Sequence, residues 1–252
     1  MPRGVSPVRS RDPARILPLV ERDGAAILLG WGTTAADALS AARAIFGSIL
    51  LSAPTATEVI PADGRRLAST GVAHTDGWSL GDRYPDYVLL SCAAGSRDGG
   101  DSFVIDGEAV VDHLASGPDG RDLVQRLQTV TVDHSGPDGK RRLSTVIART
   151  IAGRLMLRRF PSQRPNPTSD APEEDTRMLA RWRDTIDNAA AVAPRFTLRP
   201  GEVVVVDNYR MMHGSDPCTD GDRRWWRVWA WTTGAYGLPG RERSFDRRAV
   251  AS

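Results

Sequence analysis

The stretch VAHTDGWSLGDRYPDYVLLSCAAGSRDGGDSFVIDG, residues 72–107, carries the strongest indication of the fold. It contains two runs of strand-forming residues, 87–94 and 101–107, separated by the turn-forming sequence SRDGG. A His-Thr-Asp triplet precedes them. In a strand the first and third residues of a triplet face the same side, so His74 and Asp76 can converge on one point while Thr75 points away.

Outward from this stretch the chain continues as short strands with a few helices. Apolar runs and strand-forming residues predict the remaining strands: 25–32, 144–150 with 154–160 as a pair around 151–153, 203–206 and 222–233. Apolar residues at helical spacing predict four helices: 35–50, 108–115, 122–130 and 176–192. This pattern is typical of a mainly β fold with flanking α-helices, either a β-sandwich or a jelly roll.

The length of 252 residues fits one large domain, which we expect to span residues 15–240. The Pro/Arg/Ser-rich residues 1–14 are expected to be a disordered tail, and residues 241–252 a C-terminal tail. The polar, proline-containing stretch 161–175 is expected to be a loop and is a candidate substrate lid.

The composition excludes several classes of protein. The net charge of +2 is too small for a nucleic-acid-binding surface, so no nucleic-acid partner is expected. Two cysteines, without a zinc-site or disulfide spacing, are consistent with a reduced cytoplasm. The basic N-terminus lacks the apolar core of a signal peptide, and no apolar run reaches the roughly 18 residues of a membrane span, so we expect a cytoplasmic protein with no membrane partner.

One imidazole and one carboxylate make up two thirds of the 2-His-1-carboxylate triad of non-haem iron oxygenases. The third ligand must be another histidine, and three candidates remain. His113 lies on a predicted helix and His134 in a turn, so both are better explained as surface or structural residues. His213 directly follows the valine strand, where a strand end would present it to a site. The triplet alone is weak evidence, because such triplets also arise by chance and serve structural roles.

Two segments together resemble one enzyme family. The first has HTD, a strand with a Cys, Gly-Gly-Asp-Ser, a hydrophobic pair and Asp-Gly, and the second is LRPGEVVVVDNYRMMHG, residues 198–214. Both resemble, in the same order, the taurine-dioxygenase-like enzymes, closest in motif to the branch of gamma-butyrobetaine and trimethyllysine hydroxylases. The resemblance is good over residues 70–110 and 196–232, and it implies a double-stranded β-helix, a cupin-like jelly roll.

The resemblance also implies the cofactors and the residues that hold them. His74, Asp76 and His213 would be the catalytic ligands of Fe(II), which reacts with O2 and the cosubstrate 2-oxoglutarate. The family fixes the far carboxylate of 2-oxoglutarate with an arginine, which suits a guanidinium fork. Strand alternation places Arg223 and Arg227 on one face and Arg224 on the other. Arg223 is the first choice and Arg227 the second.

Two further features concern the cosubstrate pocket. Ser102 stands where the family has a Thr or Ser near 2-oxoglutarate, although a serine at a turn exit also explains it. Ser215 stands where the family often has an arginine after His-Gly.

The implied reaction is hydroxylation of an unactivated C–H bond, or desaturation or cyclisation, with release of succinate and CO2. The presence of Asp76 argues against halogenation, which needs a small residue in its place. The hydroxylases in question also carry an N-terminal domain for which this chain has no room. We therefore expect a small-molecule substrate such as an amino acid or a natural-product intermediate. Four aromatic residues are candidate substrate walls: Trp78, Tyr84, Tyr209 and Trp229.

Two rival functions remain open from the sequence. One is a zinc-dependent hydrolase that uses the same three ligands. The other is a binding protein that keeps the barrel without catalysis. Nothing in the sequence indicates the oligomeric state.

Overall fold

The computed structural model describes residues 2, 4–59, 72–135, 142–218 and 223–238. These ranges contain five α-helices, connected with the strands through short loops and three 3-10 turns. The helices are α1 (Ile16–Asp23), α2 (Ala35–Phe46), α3 (Gly107–Ala115), α4 (Gly120–Thr129) and α5 (Pro172–Val192). None of these described helices combines the length and the apolar character needed to cross a bilayer.

The same ranges contain thirteen strands in four sheets. The first seven are β1 (Val8–Ser10), β2 (Ala25–Leu28), β3 (Thr55–Val59), β4 (Tyr87–Ala94), β5 (Ser102–Asp106), β6 (Thr131–Asp133) and β7 (Leu143–Thr145). The others are β8 (Ile147–Arg149), β9 (Leu155–Leu157), β10 (Arg164–Pro165), β11 (Val203–Asp207), β12 (Met211–Ser215) and β13 (Arg224–Ala230).

The largest sheet has six strands in the order β1-β2-β11-β4-β13-β3. Its pairs are antiparallel except for β1 with β2. The valine strand β11 lies near the middle and is buried along its whole length, because apolar groups cover both of its faces. Val203 and Val205 pack with residues of α1 and α2 on the outer face, while Val204 and Val206 face inward.

A second sheet, the antiparallel pair β5–β12, packs against the inner face of the large sheet. Val104 and Met211 contact the inward residues of the large sheet across this interface. The opposite face of the pair carries Phe103 and Met212, which pack under α3, α4 and α5. Strand β12 therefore presents alternate side chains, including His213, to the space between the two sheets.

Most of the predicted elements are confirmed. Helix α2 begins after Thr34, whose side chain accepts a hydrogen bond from Asp37 N–H in a capping box. The predicted strand pair around 151–153 is β8 with β9. Helix α1 was missed by the sequence patterns, since its eight residues are too short for a clear apolar period.

Two segments differ in part from what the sequence predicts. The N-terminal tail predicted as disordered forms β1 within residues 1–14, and Val5 N–H donates to Val104 O, so main-chain pairing rather than composition orders it. The stretch 161–175 is largely loop up to residue 171, as predicted, but β10 pairs with β6, α5 begins at Pro172 and the buried Asp175 binds Arg126; its role as a substrate lid stays a prediction. The single domain and the C-terminal tail stay predictions, since residues 239–252 lie outside the described ranges.

Candidate metal centre

The backbone itself brings the two histidines together. His74 and His213 form an antiparallel bridge in which each N–H donates to the other's carbonyl oxygen, at 2.9 and 3.0 Å. Their ring centroids lie 4.7 Å apart. The glycine that follows His213 has a packing reason: a Cβ at Gly214 would lie 2.5 Å from Cζ of Phe103. A larger residue there would push β12 away from β5 and move the histidine with it.

Asn208 fixes the main chain of Asp76. Its Oδ1 accepts a hydrogen bond from Asp76 N–H at 2.8 Å, and its Nδ2 donates to Asp76 O at 3.1 Å and to Pro85 O at 2.8 Å. Thr75, between the two candidate ligands, points away and pairs through its backbone N–H with Arg159 O. Asn208, in the turn after the valine strand, thus holds the backbone of Asp76 in place, close to His213.

The three side chains offer ligand atoms that all lie within 4.8 Å of one another. Nε2 of His74 is 3.7 Å from Oδ1 of Asp76. Nδ1 of His74 lies 3.0 Å from Val72 O, so this nitrogen carries the proton and donates to the carbonyl. A metal-binding histidine commonly makes such a bond, which leaves its Nε2 lone pair directed at the metal.

The charge states also suit a metal ion, which needs neutral imidazoles and an ionised carboxylate. Burial lowers the pKa of His213 to about 4, so its ring is neutral at neutral pH. Burial acts to raise the pKa of Asp76, but the contact with His74 and the charge of Arg227 outweigh it, and the pKa lies below its usual range. Nδ1 of His213 is buried without a hydrogen-bond partner among the described residues, which protein structures rarely tolerate without an ion or water.

One cavity, of about 80 Å³, joins the three candidate ligands to two arginines. Its walls are Val59, His74, Asp76, Leu90, His213, Gly214, Ser215, Arg223, Trp225 and Arg227. The predicted alternation along β13 is observed. Arg223 and Arg227 border this cavity, whereas Arg224 lies on the other face and pairs with Glu58.

Arg223 is 7% exposed, and its guanidinium lies 3.8 Å from the ring centroid of Trp225. Its Nη1 donates to Oγ of Ser215 at 3.2 Å. Ser215, where the family often has an arginine, therefore supports the guanidinium of Arg223. Arg227 lies closer to the candidate metal position, with its Nη1 3.4 Å from Oδ1 of Asp76.

Ser102 pairs with Ser215 across β5 and β12, so it shares the inward face of His213. Its hydroxyl is buried and has no hydrogen-bond partner among the described residues, yet Ser102 is not among the walls of the cavity. It lies one strand away from the candidate cosubstrate pocket.

The four aromatic candidates have different surroundings. Tyr84 and Tyr209 are fully buried, and their hydroxyls donate to the carbonyls of Leu157 and Tyr84. Strand aromatics commonly take such a core position, and neither tyrosine is among the walls of the cavity, so their role as substrate walls stays a prediction. Trp229 is directed at the centre, since its indole Nε1 donates to Oδ2 of Asp76 at 2.9 Å. The side chain of Trp78 lies outside what the structure describes.

The other two histidines are not part of the centre. His113 is exposed on α3. His134 is 1% exposed, with Nε2 bonded to Ser144 O and Nδ1 to the Gln163 amide, a structural role as predicted. The sequence patterns missed the function of Asn208, although it lies in the quoted Asp-Asn motif. Its hydrogen bonds reach across more than a hundred residues, which no local pattern shows.

Two packed β-sheets with a clustered His-Asp-His set between them define a candidate mononuclear metal protein. A family model described as "Taurine catabolism dioxygenase TauD, TfdA family" matches residues 4–229. The chain belongs to this TauD/TfdA family of dioxygenases.

Several solved structures share the fold. A taurine dioxygenase from Burkholderia xenovorans superposes with a TM-score of 0.65 and 15% identity, over 90% of this chain and 83% of that chain. An asparagine oxygenase, AsnO, gives 0.62 and 20%, over 86% and 77%. AAD-2, in complex with Mn(II) and N-oxalylglycine, gives 0.61 and 16%, over 91% of each chain. At these identities the likeness shows a common fold.

Proposed function

We propose that the protein is an Fe(II)- and 2-oxoglutarate-dependent oxygenase that oxidises an unactivated C–H bond of a small molecule, with release of succinate and CO2. The observation that carries the proposal is the single cavity bordered by His74, Asp76, His213 and the buried Arg223. Membership of a dioxygenase family supports the reaction class. The two packed sheets support a double-stranded β-helix as the scaffold.

His74, Asp76 and His213 would hold the iron, since two imidazoles and one carboxylate match the ligand preference of non-haem Fe(II). When bound, the iron with 2-oxoglutarate and O2 supplies the oxidising power that no amino-acid side chain has. The protein contributes by leaving one side of the ligand set open. Asp76 and His213 are buried, which keeps bulk water away from that side.

Arg223 would fix the far carboxylate of 2-oxoglutarate. The guanidinium is largely buried and always charged, and stacking on Trp225 with the bond to Ser215 limits its orientation. A carboxylate that enters the cavity gains charge-assisted hydrogen bonds there. Ser102, whose buried hydroxyl has no partner among the described residues, is proposed as a hydroxyl donor to the cosubstrate. Arg227, near Asp76, would contact the cosubstrate or an anionic substrate group.

For the substrate we propose an amino acid or a natural-product intermediate, converted by hydroxylation, desaturation or cyclisation. The structural likeness to an asparagine oxygenase supports an amino-acid-like compound, and the arginine beside the centre suits a carboxylate. The gamma-butyrobetaine and trimethyllysine hydroxylase branch stays a prediction from motifs, as does the cytoplasmic location.

Succinate release tests the proposal. Protein loaded with Fe(II) under argon is given 2-oxoglutarate, ascorbate, O2 and a panel of amino acids. We expect substrate-dependent succinate, abolished by His213→Ala and unaffected by His113→Ala, the exposed control histidine on α3. Turnover with Zn(II) in the absence of O2 would instead favour a hydrolase. Metal binding without any succinate across the panel would favour a binding protein.

A further inference from the structure

The two oxygens of the Asp76 carboxylate have separate surroundings. Oδ1 lies 3.7 Å from Nε2 of His74 and 3.4 Å from Nη1 of Arg227, on the side of the candidate metal position. Oδ2 accepts a hydrogen bond from the indole Nε1 of Trp229 at 2.9 Å. Because the carboxylate is only 5% exposed, water does not compete freely for the second oxygen. An indole N–H is a donor only, so it stabilises this oxygen as an acceptor.

We propose that Trp229 is a positioning residue that keeps Asp76 a one-oxygen ligand of the metal; this rests on the proposed function. Carboxylates bind metals through one oxygen or through both. Binding through both would use a fourth coordination position and leave two open. The proposed reaction needs three, two for 2-oxoglutarate and one for O2. A hydrogen bond that retains Oδ2 on the protein side keeps the third position free.

The strand context holds the indole in place. Trp229 lies on β13, paired with Val88 of β4 on one side and with Thr55 of β3 on the other. The ring of Trp231 packs edge-on against it, at 6.4 Å between centroids. A donor on a strand that is paired along both edges has little freedom to follow the carboxylate if it rotates toward the metal.

The same indole supports Arg227, whose guanidinium lies 4.7 Å from the ring centroid. Trp229 therefore orients two groups: its indole N–H binds Oδ2 of Asp76, and its ring face packs against the guanidinium of Arg227, which lies beside Oδ1. The sequence suggested an aromatic substrate wall at this position. The hydrogen bond assigns it instead to the metal ligand.

Trp229→Phe removes the donor and keeps an aromatic ring. Trp226→Phe is the matched control, because Trp226 lies on the opposite face of the same strand and donates its indole N–H to Thr33 O at 3.0 Å. Co(II) serves as an oxygen-insensitive probe, with its dissociation constant and its visible absorption spectrum as the measurements. Loss of an outer hydrogen bond to a metal ligand typically weakens metal affinity about 10–100-fold.

We expect Trp229→Phe to weaken Co(II) binding within that range and to shift the visible bands, while Trp226→Phe leaves both as in the wild type. Trp229→His, which restores an N–H donor, should recover part of the affinity. Thermal unfolding of the metal-free proteins checks that each variant folds. If Trp229→Phe does not fold, Trp229→His is compared with the wild type in its place.

Wild-type affinity and bands in folded Trp229→Phe would overturn the inference and leave the proposed function intact. If the wild-type protein itself binds no Co(II), the proposed function fails first, so the two failures are distinguishable.

Discussion

Replacing Arg223 by methionine is the sharpest test of the cosubstrate pocket. Methionine keeps an unbranched apolar stem beside Trp225, but it removes the guanidinium that stacks on this ring, together with its charge and its bond to Ser215. Each hydrogen bond from a charged group contributes about 1.5–3 kcal/mol. A guanidinium fork makes two such bonds with a carboxylate. Some of this is offset because the free arginine already binds Ser215, which leaves a net loss of about 3 kcal/mol.

A loss of that size weakens 2-oxoglutarate binding by roughly 100-fold. The assay is equilibrium binding of 2-oxoglutarate to protein loaded with Mn(II) under argon, where no turnover occurs. Arg224→Met is the control, because this neighbouring arginine is exposed, lies on the other face of β13 and pairs with Glu58. We expect it to bind 2-oxoglutarate as the wild type does.

Wild-type affinity of Arg223→Met for 2-oxoglutarate would exclude Arg223 as the carboxylate partner. Arg227→Met would then be expected to carry the whole loss. In that case the carboxylate partner would be the arginine next to Asp76, and the cosubstrate would lie in the cavity in another orientation.

Three further outcomes are expected. Asn208→Ala should lower the free energy of unfolding by about 3 kcal/mol in chemical denaturation, because it leaves buried backbone groups of Asp76 and Pro85 without partners. The same substitution should weaken metal binding. An unchanged denaturation midpoint would contradict this prediction. Burial lowers the pKa of His134 to about 4 from an ordinary 6.5, so the folded state favours the neutral ring. The stability this gives is complete above pH 6.5 and is lost, by about 3 kcal/mol, as the pH falls to 4. Denaturation of His134→Gln across that window should show a flatter pH dependence than His113→Gln, and parallel curves would refute the buried neutral state. Chelator treatment should lower the thermal unfolding midpoint of the metal-loaded protein, and stoichiometric Fe(II) or Mn(II) should restore that midpoint. The reason is that a ligand that binds only the folded state stabilises the folded state. A His213→Ala variant whose midpoint still responds to metal would contradict the assigned ligands.

Much of the fold could be predicted because its signals are local. Helix α2 shows both an apolar face and a Thr-Asp capping box in sequence, and β11 is a run of four valines after a Pro-Gly turn. The spacing in His-Thr-Asp places two candidate ligands on one side of an extended segment, whatever the rest of the chain does. The N-terminal strand and the fixed segment at 161–175 were not predictable in the same way. Their order comes from partners far along the chain, such as Val104 for Val5 and Asp133 for Arg164.

The sequence by itself determined which chemical groups are present and which of them share a face: an imidazole and a carboxylate two residues apart, a histidine after a buried strand, and arginines alternating along another. Only the tertiary structure decided what those groups contact. It places Tyr84 and Tyr209 in the core, and it brings the indole N–H of Trp229 within hydrogen-bonding distance of the Asp76 carboxylate. The physical reason is that strand periodicity fixes the direction of a side chain within its own strand. The distance to a partner depends on how separate strands pair and how sheets pack, and that is set by the whole chain.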